Sequence, residues 1–330
     1  MQEFDVNGDF PVPFMEIPSC RLGLAMQTNV HKKIMFIVTG GLGDRICAVP
    51  VIQWAMRVMK DVKFYLTTEN PELFSHLKFK EVFNIKTDKV KYDNYYTFVS
   101  LYKEDHFHNE FINHFITHCV DSMSLNMFRC QIPVADKEIK LPKVDFIQKE
   151  VSDLYLDARP IICIHPGKHW PSKTIPGHYW NEVLKPLKKY TKPIIIGADM
   201  NSERTTVDID TDGCIDLRNK LSILETISLL DDADVLLTND SAPLHMAAAG
   251  TAWVGFLATV KHPDHLMHWR QGEFGWRMKN FASGGMYDLV DCCPNHQEKV
   301  TLDKCTEDQL MSWLPKPQDF ADWAIERSLL

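Results

Sequence analysis

At 330 residues, 45% of them hydrophobic and 24% charged, the chain has the profile of a folded protein with room for two cores of roughly 150 residues each. Its formal charge of −8, from 36 basic and 44 acidic residues, argues against a chain that binds nucleic acid over its whole surface. No stretch reaches the roughly 18 apolar residues of a membrane span, and nine cysteines are too sparse, and odd in number, for a disulfide scaffold, so a reducing cytoplasm is the expected location. Residues 1–30 carry Pro11, Pro13 and Pro18 without sustained periodicity, which predicts an extended arm packed on a domain surface. That start also lacks the basic end and apolar centre of an export signal. Ile34 to Val38 is a short apolar run of the kind a buried parallel strand uses. It leads into Thr39-Gly40-Gly41-Leu42-Gly43-Asp44, a helix predicted from about Ile46 to Met59, and a strand at Lys63 to Thr67. Strand, glycine turn, helix and strand make a βαβ unit. Residues 31–91 hold 11 basic against 6 acidic residues, a local +5, while 1–150 as a whole holds 18 against 19 and 151–330 holds 18 against 25.

The pattern restarts after a polar linker and helix predicted over Pro142 to Leu156. Pro160 to Ile164 predicts a buried strand ending in His165-Pro166-Gly167, Trp180 to Tyr190 a helix, and Pro193 to Ile196 a strand ending in Gly197-Ala198. Ser222 to Asp231 reads as a helix, Val235 to Leu237 as a strand, Pro243 to Ala249 as the start of a helix, and Trp253 to Leu257 as a further strand. A last helix over about Pro317 to Arg327 puts Phe320, Trp323 and Ala324 on one face. It is expected to pack back on the N-terminal domain. Two successive α/β patterns predict two facing, doubly wound Rossmann-like domains, 1–150 and 151–330.

Three motifs sit at strand ends, where open α/β sheets bind ligands. Gly40, Gly41 and Gly43 let backbone approach a ligand and leave helix N–H groups available to an anion. The turn has neither the Lys-Ser/Thr of a P-loop nor the spacing Gly-x-Gly-x-x-Gly. Asp44 at its end is either an N-cap or a carboxylate presented to the crevice. The second motif, Thr238-Asn239-Asp240-Ser241-Ala242-Pro243-Leu244-His245, joins a strand to a helix with capping residues and a proline suited to the first turn. That end suits a diphosphate, and His245 one turn in can donate to a phosphate oxygen. In the third, Gly167 to Thr174, Lys168 and Lys173 are candidates to neutralise a phosphate leaving group.

In this order the motifs resemble glycosyltransferase family 9, the heptosyltransferase-like enzymes with the GT-B fold. The resemblance rests on Gly41-Leu42-Gly43-Asp44 with Val49-Pro50, on Pro166-Gly167, Ser172-Lys173 and Trp180, and on Leu224-Glu225, Asp240-Ser241-Ala242-Pro243-Leu244-His245 and Thr259. It spans roughly residues 34–60 and 160–262. It implies inverting transfer without a metal or other cofactor, from a nucleotide-diphosphate sugar, with Asp44 as base and a phosphate-binding lysine. It also implies a glutamate at or near Glu203 on the donor ribose. The implied donor site is Lys173, Ser172, Glu203, Asp240, Ser241, Ala242 and His245. Ala242 replaces the family's usual glycine. The stretch Lys261 to Asn280, with Trp269, Arg270, Trp276 and Arg277, has no counterpart that can be aligned, so Trp269 and Arg270, with Arg45, are candidates for a sugar or acceptor pocket of its own.

The acceptor is expected to be an envelope glycan. A hydroxymethylated base of viral DNA is the alternative, for which Lys78, Lys80, Lys86, Lys89 and Lys91 beside Tyr92, Tyr95 and Tyr96 supply charge and stacking. A non-catalytic nucleotide-sugar-binding protein is the rival outside enzymes, and an epimerase or hydrolase the rival within them. Two histidine and cysteine groups are read as structural. Cys292, Cys293, His296 and Cys305 include adjacent cysteines, poor spacing for a tetrahedral metal. His106, His108, His114 and His118, set among phenylalanines, fit a half-buried helix between domains. Asp208, Asp210 and Asp212 fall in a polar loop rather than at a strand end.

Overall fold

A computed structural model of the chain describes residues 2–4, 33–88, 90–92, 96–100, 118–128, 130–144, 159–167, 171–200, 203–204, 206–288 and 305–330. The chain divides into two compact units, Met1–Asn113 with Cys119–Pro142, and His114–His118 with Lys143–Leu330.

The first unit contains β1 (Gln2–Phe4), β2 (Lys33–Val38), α1 (Leu42–Val58), β3 (Lys63–Thr68), β4 (Glu81–Asn84), β5 (Val90–Tyr92), β6 (Tyr96–Ser100) and α2 (Cys119–Phe128). β2 is buried at every position after Lys33, as a strand covered on both faces must be. A parallel sheet runs β4-β3-β2-β6, with Ile34 opposite Phe64 and Thr97. β1 pairs antiparallel with β5, so the start of the predicted arm is a strand; the rest of that arm, 5–30, lies outside the described residues. α1 begins at Leu42, a turn earlier than predicted, because Gly40 takes a φ of 91° that glycine adopts without strain and Gly41 ends the turn in extended backbone. A buried ion pair, Lys137 to Asp121 at 2.7 Å, fastens the segment after α2 back onto that helix.

The second unit contains β7 (Ile162–His165), α3 (Gly177–Tyr190), β8 (Ile194–Ile195), β9 (Asp199–Met200), β10 (Glu203–Arg204), β11 (Ile215–Asp216), α4 (Ile223–Asp232), β12 (Val235–Asn239), α5 (Ala242–Ala247), β13 (Trp253–Leu257), α6 (Pro263–Leu266), β14 (Trp269–Arg270), β15 (Glu273–Phe274), β16 (Met278–Asn280), α7 (Glu307–Trp313) and α8 (Pro317–Arg327). Its parallel sheet runs β11-β8-β7-β12-β13-β16. The helix predicted at Pro142 to Leu156 lies mostly outside the described residues. The last helix, α8, buries Phe320, Ala321, Trp323 and Ala324 with Trp180, Leu187, Val235 and Leu257 in the second unit's own core. Gly255 permits that close packing, since a Cβ there would meet Trp323, Leu237 and Phe320 at 2.7–2.9 Å.

In each unit the strand order reverses beside the first strand of the sheet. The chain goes from β2 outward to β3 and β4, then to β6 on the other side; it goes from β7 to β8 and β11, then to β12. Such a reversal opens a crevice at the strands' C-terminal ends. The glycine turn follows β2, and the Asn239-Asp240-Ser241 and Pro166-Gly167 segments follow β12 and β7. These are two Rossmann-like α/β units, and the fold class is GT-B.

Candidate functional site

In the second unit, parallel register sets Thr238 against His165 and so brings the two strand ends together. The Asn239 amide then donates to the carbonyls of Gly167 at 2.9 Å and Lys173 at 2.6 Å, holding both ends of the loop after β7. The Thr259 hydroxyl donates to the Ser172 carbonyl at 2.5 Å and pins its middle. Gly167 fits because a Cβ would run into the Asn239 side chain. So held, Lys173 places Nζ 2.5 Å from Oδ2 of Asp240, with side chains only 13% and 6% exposed. Burial by itself pushes the Asp240 carboxyl up, but the Lys173 ammonium, by charge and hydrogen bond, and then His245 and His265 hold it below the usual carboxylate range.

Ser241 is the N-cap of α5, yet its hydroxyl makes no cap bond; it lies 3.0 Å from Nδ1 of His165 and 3.1 Å from the Thr238 hydroxyl. Burial pushes His165 down to about 4, so the ring is neutral at pH 7. α5 covers only Ala242–Ala247, less than the sequence suggested, so side chains rather than a helix dipole give this corner its polarity. Ser172 Oγ, Thr206 Oγ1 and Asn239 Oδ1 are buried with no hydrogen-bond partner among the described residues.

In the first unit, Asp44 occupies the third helical position rather than the N-cap. Its Oδ2 accepts from the Gly41 N–H at 2.8 Å, and the side chain is half-buried. Next to it Arg45 is buried, its guanidinium 3.0 Å from Glu69 Oε2 and hydrogen-bonded to Asn70 at the end of β3. Glu69 also holds Lys86 at 2.9 Å. Arg45 is thus committed to bracing α1 on the end of β3, and Lys86 to closing that brace.

Residues 105–255 match the family described as glycosyltransferase family 9 (heptosyltransferase). The matched span includes the Lys173 and Asp240 corner and begins beyond the glycine turn. Among solved structures, it is similar to the family 9 glycosyl transferase of Veillonella parvula DSM 2008, at 12% identity and a TM-score of 0.55 over 90% of this chain and 99% of that one. It is also similar to the iron-containing dodecameric glycosyltransferase TibC of enterotoxigenic E. coli H10407, at 16% identity and a TM-score of 0.58 over 91% of this chain and 77% of that one. A second TibC structure, with ADP-D-β-D-heptose bound, matches at 14% identity and a TM-score of 0.56, over 91% of this chain and 77% of that one. No curated protein matches the chain.

One predicted pocket residue makes contacts of another kind. The Arg270 guanidinium donates to the carbonyls of Gly250, Ala252 at 3.0 Å and Trp276 at 3.3 Å, near the start of β13 rather than at its ligand edge. Burial, and then the Arg277 charge, push Arg270 down to about 10, which leaves it cationic at pH 7. Trp269 packs its ring on Phe274 at 5.3 Å. Arg277 lies over the rings of Trp276 and Trp253, at 4.4 and 5.2 Å. The unalignable stretch is therefore, in large part, a scaffold of arginines spent on carbonyls and aromatic faces.

Glu203 belongs to β10, and its side chain lies outside the described residues, as do Lys168, Lys89, Tyr95, Cys292, Cys293, His296, His106, His108 and His114. Cys305 is half-buried and packs against the second unit's core. His118 lies just before α2, and its Nε2–H donates to the Met267 carbonyl at 2.7 Å. Among the described residues no helix is long and apolar enough to cross a membrane. Three residues stand outside the predicted site list: Asn239, His165 and His268. Asn239 lies inside the second motif and His165 at the strand end before the third, so both carried a weak signal. His268 had none.

Proposed function

We propose that the chain is a glycosyltransferase that moves a sugar from a nucleotide-diphosphate donor to an acceptor hydroxyl, inverting the anomeric centre and using no metal. The observation that carries the reading is the buried Lys173, Asp240 and His245 corner, inside the family-matched span and at the end of β7 and β12. Lys173 is held by its loop and by Asp240 to meet the diphosphate, with Ser172, Ser241, Ala242 and His245 around it and Glu203 on the ribose. An adenine nucleotide is the favoured donor, because a solved relative holds ADP-D-β-D-heptose. In the transfer, the acceptor oxygen attacks the anomeric carbon, the bond to the diphosphate breaks, and Asp44 takes the hydroxyl proton. The nucleoside diphosphate leaves with the bonding electrons. An envelope glycan is the proposed acceptor and the cytoplasm the proposed site of action, the latter on the sparse, odd set of nine cysteines. The DNA reading loses support from Lys86, whose ammonium is paired with Glu69.

The deciding experiment incubates the full chain with labelled ADP-sugars, with and without lipid-linked glycan acceptors. Label moving to the acceptor supports transfer. Release of free sugar without acceptor identifies a hydrolase, and binding with neither outcome identifies a silent sugar-nucleotide binder. Turnover that survives exhaustive chelation supports the metal-free step; loss restored by a divalent or ferrous ion overturns it.

A further inference from the structure

His245 stands one turn into α5, and its Nδ1 is 2.7 Å from Nε2 of His268. The rings meet at 81° with centroids 5.0 Å apart, and the residues are 7% and 0% exposed. Two ring nitrogens at that separation require one N–H and one lone pair, so the tautomer of one imidazole dictates the tautomer of the other. His268 is held from several sides. Its backbone N–H donates to Met278 Sδ at 3.3 Å, and its carbonyl accepts from the Gly275 N–H at 2.9 Å. The ring of His118, itself tied to the Met267 carbonyl, packs on it edge to face at 5.6 Å. His268 thus acts as the fixed member of the pair, seated beside the short β14–β15 hairpin.

We propose that His268 is a positioning residue for the donor site: it donates its Nε2–H to His245 Nδ1 and so keeps the His245 proton on Nε2. That tautomer makes His245 an N–H donor for a phosphate oxygen of the nucleotide, beside Lys173 and Asp240. The opposite sharing would leave His245 Nε2 as a lone pair, which repels an anionic oxygen. The inference rests on the donor reading above, and it gives a use to a stretch of chain that no family motif accounts for.

The test uses the full chain labelled with ¹⁵N-histidine and a long-range proton–nitrogen correlation spectrum. The expected result is protonation of His245 on Nε2 and of His268 on Nε2. His268→Ala should abolish that single tautomer and weaken ADP binding about tenfold, the loss of roughly one hydrogen bond. His268→Gln, whose amide N–H can donate to Nδ1, should recover most of the affinity, which a merely space-filling role would not require. His245 protonated on Nδ1 in the wild-type spectrum overturns the assignment, and so does ADP affinity unchanged in His268→Ala. A stoichiometric transition metal bridging the two rings overturns it as well. If His268→Ala does not fold, the wild-type spectrum and His268→Gln still decide the matter. If the wild type binds no ADP, the donor reading falls and the role with it, while the spectrum separately reports whether the rings are paired.

Discussion

At the end of β2 the carboxylate of Asp44 is half exposed and turned back onto Gly41 of its own turn, whereas at the end of β12 that of Asp240 is buried and paired with Lys173 from another loop. Both follow a strand beside a reversal of strand order, so topology alone does not distinguish them. Solvation does. A partly exposed carboxylate keeps some of its hydration. A buried one balanced by an ammonium is part of the architecture, because removing either charge leaves the other without compensation. The strands that flank the reversal therefore end in a partly exposed carboxylate in one unit and in a buried ion pair in the other.

The largest effect should break this comparison most cleanly. Asp44→Asn is expected to lower turnover by about 10²–10⁴-fold, the usual contribution of a positioned general base. Because Asn keeps a side-chain oxygen for the Gly41 N–H, the unfolding free energy should move by no more than about 1 kcal/mol. Near-normal turnover in that variant would falsify the base assignment and leave Asp44 a helix-capping residue.

Lys173→Ala should do the reverse. It leaves Asp240 buried without its partner and is expected to destabilise the second unit by about 3–5 kcal/mol, read from urea unfolding. A variant of unchanged stability would show that the pair is dispensable and that the two corners do not differ as argued. Lys173→Arg, which keeps the charge, should recover much of the loss.

His165 sharpens the contrast through pH. Burial lowers its folded pKa from an ordinary 6.5 to about 4, so between those values the unfolded chain binds a proton that the folded chain does not. Its contribution is full above about 6.5 and is lost as pH falls toward 4, by at most about 3 kcal/mol. The slope of unfolding free energy against pH in this window should flatten in His165→Asn. An unaltered slope would mean that the ring is not buried neutral.

The smallest expected effect separates scaffold from site. Arg270→Lys loses part of the fan of hydrogen bonds to the Gly250, Ala252 and Trp276 carbonyls and should cost about 1.5–3 kcal/mol in stability. ADP affinity, measured by calorimetry, should stay the same. A selective loss of affinity would return Arg270 to the ligand pocket.

Read from sequence alone, the apolar runs at Ile34 to Val38, Val235 to Leu237 and Trp253 to Leu257 marked parallel strands, because a strand buried on both faces needs apolar residues at consecutive positions. The glycine turn and the Asp-Ser-x-Pro-x-His segment marked strand-to-helix joints, because capping and backbone freedom are local properties. The start of α1, the docking of α8 and the commitment of Arg270 to carbonyls were not legible. Each depends on what stands opposite rather than on what comes next in the chain. The same holds for the partners that give the candidate site its chemistry: Ser241 meets His165 across 76 positions and His245 meets His268 across 23. Periodicity reports which face of an element is buried. Only strand order and register decide which two ends share a crevice, and with them that Asp240 meets Lys173.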